Sequence, residues 1–179
     1  MSAEEKQAAL LANRRHVAGI FEAARDGRAA DLRTEVEAYA SSQLQDDGAT
    51  PRSVLAAVVD ANGRRAVHFA AKSGHLDACV YIAQTDPSAV RARDGDGLTP
   101  AMLAAGGGYV PVLRLFYEGV GCDPPIADHA LLADTNAAKS DGTTALSSAA
   151  LGGHAEAIEY LLARGAKLNA VANGMGPVL

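Results

Sequence analysis

The chain has 179 residues, enough for one ordinary domain with a sizeable core, and 49% of them are hydrophobic. Aromatics make up only 4% and tryptophan is absent, which suits closely stacked alanine- and leucine-rich helices better than a sandwich or barrel. A net charge of −5 disfavours broad nucleic-acid binding, and two cysteines, Cys79 and Cys122, make no disulfide framework. At the N-terminus, "MSAEEKQAALLANRRH" places acids before the apolar run and basics after it, the wrong order for a secretory signal. No apolar run approaches the ~20 residues needed to span a bilayer. A soluble intracellular protein is expected, in the cytoplasm or nucleus, without a membrane partner.

Ser2 and Glu5 have capping-box spacing and predict a helix over residues 1–14. Next, "IFEAARDGRAADLRTEVEAYA" (20–40) reads as a helix pair. Ala23 and Ala24 let the first helix pack closely, Gly27 makes the turn, and Leu32 and Val36 form the buried stripe of the second. The stretch "SSQLQDDGATPRSVLAAVVDA" (41–61) does not continue that pattern. Thr50 and Pro51 there predict the cap and first turn of a lone helix from about Pro51 to Val59. Residues 15–61 are thus expected to form a degenerate capping unit with a helical insertion.

Three further segments align with one another: "NGRRAVHFAAKSGHLDACVYIAQ" from Asn62, "DGLTPAMLAAGGGYVPVLRLFYEG" from Asp96 and "DGTTALSSAALGGHAEAIEYLLARGAKLNA" from Asp141. Their second residues, Gly63, Gly97 and Gly142, are 34 and 45 apart, so one period carries an insertion. Each unit has a pair of alanines (Ala70-Ala71, Ala104-Ala105, Ala149-Ala150) and a turn glycine (Gly74, Gly108, Gly153). Each second helix has an apolar stripe: Cys79 and Ile82, Leu113 and Phe116, and Ile158, Leu161 and Leu162. The predicted units are 62–95, 96–140 with an insertion at 119–139, and 141–172. "NGMGPVL" (173–179) reads as the start of an incomplete repeat, as if the chain belonged to a longer protein.

In its signature positions this pattern resembles the ankyrin-repeat family: Thr99-Pro100, "AVHFAA" with His68, and Gly74-His75 and Gly153-His154 at the inter-helix turns. The resemblance implies an all-α solenoid of about four helix-turn-helix units with β-turn or hairpin tips and two insertions. The long first insertion followed by "DANGRRAVHFAA" also resembles the N-terminal array of ankyrin/tetratricopeptide-repeat proteins.

Candidate chemistry is sparse. His75 and Cys79 lie four apart on one helix, with His68 near in sequence, but a structural zinc site needs four ligands and no second pair has ligand spacing. On the ankyrin resemblance, His68, His75 and His154 hydrogen-bond neighbouring backbone. Cys79 reads as a small core residue and Cys122 as a loop thiol. "AAGGGYVP" lacks the Gly-Lys-Ser/Thr of a phosphate loop. "DGDG" from Asp94 would need a bidentate glutamate at its twelfth position, which is Ala105. No metal, cofactor or enzymatic activity is expected.

The family resemblance implies a concave groove made by the turn tips and the exposed ends of the first helices, binding a partner protein. Mapped onto this chain, the groove positions are Arg64, Lys72 and Ser73, then Asp96, Leu98 and Gly106, then Thr143, Leu151 and Gly152. Basic residues concentrate in the first two units (Arg25, Arg28, Arg64, Arg65, Lys72), whereas Leu98 and Leu151 make the later groove partly apolar. Arg65 stands where the capping threonine is usual. A partner with an acidic segment and an apolar one fits this gradient. The expected function is non-catalytic protein recognition, with an adaptor arm of a longer chaperone-associated protein as the alternative. A metal-binding or enzymatic domain is the distant third reading.

Overall fold

The computed structural model describes residues 3–43, 49–119 and 132–168. They form helices α1 (Ala3–Asp26), α2 (Ala29–Ser42), α3 (Pro51–Ala57), α4 (Ala66–Ser73), α5 (Leu76–Thr85), α6 (Pro100–Gly106), α7 (Val110–Glu118), α8 (Ala145–Gly152) and α9 (Ala155–Ala163). A 3-10 turn, Pro87–Arg91, follows α5. Among the described residues the only β pairing is an isolated bridge between Ala138 and Thr144.

Four helix pairs stack in two rows. The first helices α1, α4, α6 and α8 pack in sequence along one row, and the second helices α2, α5, α7 and α9 along the other. Packing is closer in the first row, where Ala23, Ala24, Ala70, Ala71, Ala104, Ala105 and Ala149 are buried. Methyl-sized side chains let those axes approach. Larger residues fill the space between the rows, with Leu32, Ile82, Leu113, Phe116 and Leu161 almost fully buried.

Helix starts follow the local chemistry. The Thr99 hydroxyl accepts from the Met102 amide at 3.3 Å, with Pro100 in the first turn. Thr144 and Ser147 form a reciprocal capping box, 2.8 Å and 3.2 Å. At α4 the cap is Arg65, whose side chain makes no such bond; instead Nδ1 of His68 accepts from the Arg65 amide at 3.0 Å.

Thr50 and Ser53 cap the insertion helix α3 in the same way, and it ends at Ala57, two residues short of the expected end. It docks on α2 and α5 through buried Val54 and Leu55. Arg52 stands 3.6 Å from the buried Asp86 carboxylate. The N-terminal region differs from expectation: the boundary between a helix over 1–14 and a unit from 15 falls inside the single helix α1. No proline interrupts Ala3–Asp26, and its one glycine, Gly19, lies where a Cβ would meet the Glu35 side chain of α2 at 2.8 Å. The Ser2–Glu5 cap, Asp47, Gly48, Cys122, most of the 119–139 insertion and residues 173–179 lie outside the described residues or side chains.

Candidate functional site

Equivalent hairpin tips precede α4, α6 and α8. In each, an amide and a carbonyl pair across the turn: Asp60 with Arg64 (2.9 Å), Asp94 with Leu98 (3.0 Å) and Lys139 with Thr143 (2.8 Å). Asp60 and Asp94 brace their tips by accepting two further backbone N–H groups each. In the third tip Lys139 occupies that position, and Asp141 accepts from the Thr143 amide instead. Bonds to Thr143 and the nearby Lys139 ammonium hold the Asp141 carboxyl down at about 2.

Neighbouring tips are tied together. The Gly95 amide donates to Asn62 carbonyl at 2.7 Å, and Arg93 reaches Ala138 carbonyl at 2.9 Å. Arg64 Nε donates to Asp94 Oδ2 at 3.2 Å, and that carboxylate side chain is fully buried. Arg64 therefore neutralises the charge that braces the following tip, which a sequence reading confined to one tip does not reveal.

The open face of the first-helix row carries two columns in repeat register. One is Arg25, Lys72, Gly106 and Leu151; the other is Glu22, Phe69, Leu103 and Ser148. Arg25, Lys72 and Leu151 are exposed, Leu151 to 87%. Phe69 and Leu103 are half-buried and floor the face. Phe21 joins this floor: its ring centroid lies 5.2 Å from that of Phe69, and the Arg25 guanidinium lies 5.4 Å above the Phe69 ring.

Of the sequence-proposed positions, Lys72, Ser73, Gly106, Leu151 and Gly152 lie at the C-terminal ends of α4, α6 and α8. Arg64, Asp96, Leu98 and Thr143 lie in the tips. Leu98 packs half-buried against the core. Arg28 is held by Asp31 and Asp26 at 2.8 Å and 3.1 Å, whereas Arg25 and Lys72 are exposed at the C-terminal ends of α1 and α4. Phe21, Phe69 and Leu103 were not among the expected contacts. The 34- and 45-residue spacings link Phe69 to Leu103 and Ser148, so that column was readable, whereas Phe21 lies one position out of register.

The histidines hold backbone. His75 Nε2 donates to Arg25 carbonyl at 2.9 Å and His154 Nε2 to Gly106 carbonyl at 3.0 Å, each joining a unit to its predecessor. Burial pushes the His68 pKa down, which favours the neutral ring that accepts from Arg65. Burial pushes the Cys79 thiol up, as for an inert core residue. Among the described residues, no group of three or more His, Cys, Asp and Glu is placed to hold a metal ion. No described helix is long and apolar enough to cross a membrane.

The sequence matches the family described as "Ankyrin repeats (3 copies)" over residues 49–128 and 93–172. The chain belongs to the ankyrin-repeat family. Its helix pairs, hairpin tips and absence of longer strands among the described residues are those of an all-α ankyrin solenoid. Ankyrin repeats generally mediate protein–protein interaction, and the family is typically non-catalytic. The first match begins at residue 49 and so includes α3. Over 100 residues the chain is 35% identical to mouse "Ankyrin repeat and SAM domain-containing protein 6", covering 56% of this chain and 10% of that protein. The rat protein of the same name is 38% identical over 101 residues, again 56% and 10%. The ankyrin chain thus spans about a tenth of the length of the curated relatives it matches.

Proposed function

We propose that this ankyrin array is a non-catalytic recognition module whose partner protein lies along the open face of the first-helix row. The column Arg25–Lys72–Gly106–Leu151 carries this reading, because it is cationic at one end and apolar at the other. Beside its cationic end the Phe21–Phe69 pair offers a rigid aromatic surface. Aromatic and cationic groups side by side suit an extended segment with acidic and apolar residues in turn. Ser73, Asp96, Leu98 and Thr143 would flank that segment, with cytoplasm or nucleus as its setting. The length of the relatives supports an array that serves as one arm of a longer protein. Their names pair ankyrin repeats with a SAM domain and lend no support to a chaperone-linked tetratricopeptide version.

The test is titration of a partner captured on the immobilised chain. Lys72→Glu and Leu151→Asp should each weaken its binding roughly 5- to 30-fold, about 1–2 kcal/mol. Both residues are exposed, so circular dichroism and melting should not change. Glu159→Lys, on the exposed side of α9, serves as the control and should bind as the parent does. Unchanged affinity in both groove variants, or a loss confined to Glu159→Lys, would place the partner elsewhere.

A further inference from the structure

Three consecutive glycines close α6, and two of them are required by their surroundings. Gly108 is left-handed, φ 73°, and a Cβ there would lie 2.6 Å from the His154 ring. A Cβ on Gly107 would lie 2.2 Å from the Tyr109 ring. Gly106 has no such reason. It is the last residue of α6, and among the described residues a Cβ on it would come no nearer than 3.8 Å, to Ser148 Cβ. That is an ordinary van der Waals contact, so alanine fits. Glycine weakens a helix relative to alanine, and a local cost without a packing gain is expected where the space itself serves a site.

Gly106 stands third in the column Arg25, Lys72, Gly106 and Leu151. Its three counterparts are exposed, so the face presents two cations, a gap, and then a leucine that is 87% exposed. Leu103, half-buried and three residues back on α6, lies beside the gap.

The repeat of this column restricts the chain that can follow it. Helices packed through small side chains lie roughly 8–10 Å apart, and the column advances by about that interval per unit. A polyproline II segment advances about 9 Å per turn of three residues, so every third side chain meets one helix pair. Same-face residues of a β-strand recur about every 7 Å and fall out of step.

We propose that the partner segment on this face is a polyproline II stretch. Two acidic residues three apart meet Arg25 and Lys72, and a bulky apolar residue three further on fills the gap over Gly106, against Leu103 and Leu151. This rests on the groove reading above and adds conformation, spacing and order to it. Gly106 acts as a specificity position, because its missing side chain sets the size of the partner residue admitted there.

The experiment titrates the 179-residue chain into fluorescein-labelled Glu-Pro-Pro-Glu-Pro-Pro-Leu and the peptide of reversed order, read by anisotropy. Companion peptides move the leucine one place nearer or farther, or replace it with alanine. In one of the two orders, the period-three leucine peptide should bind about fivefold or more tighter than its companions. Gly106→Ala should weaken that peptide about fivefold or more, because the new methyl occupies the gap. It should change the alanine peptide by less than about twofold and should not lower the melting temperature. Equal binding in every register, no binding by any peptide, or parental affinity in Gly106→Ala would overturn the proposal. The groove reading fails separately, when Lys72→Glu and Leu151→Asp leave the affinity for the captured partner unchanged.

Discussion

Gly74→Ala should lower the unfolding free energy by about 2–5 kcal/mol, measured by denaturant melts followed at the helical circular-dichroism band. Two costs add at this position. A methyl group at φ 75° is strained in the left-handed region, and it would stand 2.4 Å from the Tyr109 ring. Tyr109 cannot retreat freely, because a Cβ on Gly107 would also meet its ring, at 2.2 Å. Gly153→Ala supplies the comparison within the same protein. Its φ of 72° carries the strain alone, with open space around the new methyl, so about 1–2 kcal/mol is expected. Equal losses at the two positions would mean that the ring-over-glycine contact between units contributes nothing to stability.

Arg64→Ala should lower stability by about 1–3 kcal/mol, with Lys72→Ala changing it by less than about 0.5 kcal/mol. Both are basic and both belong to the second unit, but their surroundings differ. Arg64 donates to a fully buried carboxylate that also accepts from the Asp96 and Leu98 amides. Without the guanidinium, Asp94 keeps its bracing bonds but loses its counter-ion. The figure stays at the lower end for a broken ion pair because Arg64 is itself partly exposed, its side chain at 28%. Melts of the two variants under identical conditions decide the point. Parental stability in Arg64→Ala would free that side chain for partner contact.

The contrast between these two residues shows what the sequence reveals and what it hides. Helix pairs, turn glycines and caps were legible because each depends on residues within four positions, as in Thr50 with Pro51 or Thr99 with Pro100. His75 and His154 were legible as backbone ligands through the family pattern, although their acceptors lie 50 and 48 residues away. The Arg64–Asp94 pair was not, since it spans 30 residues between tips that look alike in isolation. Tyr109 takes the place that histidine holds in neighbouring units, so its roofing role depends on register rather than residue type. The N-terminal helix was predicted to stop near residue 14, because capping signals suggest starts but nothing local at 14 and 15 marks an end. In the structure that segment simply lengthens the first helix of the stack.

The groove's expected contents changed in a similar way. Five basic residues in the first two units suggested a broad cationic end, but Arg28 and Arg64 are occupied by carboxylates. Arg25 is the cation seated on the aromatic pair, its guanidinium 5.4 Å from the Phe69 ring centroid, and Lys72 stands exposed in the next unit. On the proposed reading, a cation seated on an aromatic ring suits one or two acidic side chains beside an apolar anchor better than general attraction to an acidic surface.

Hydrogen–deuterium exchange of the chain with and without its captured partner tests the central claim most directly. With the partner along the first-helix row, exchange slows on binding over residues 21–26, 64–73, 96–106 and 143–152, with α2, α5 and α7 unchanged. Slowing confined to those second-row helices, or to the insertion helix α3, would contradict it.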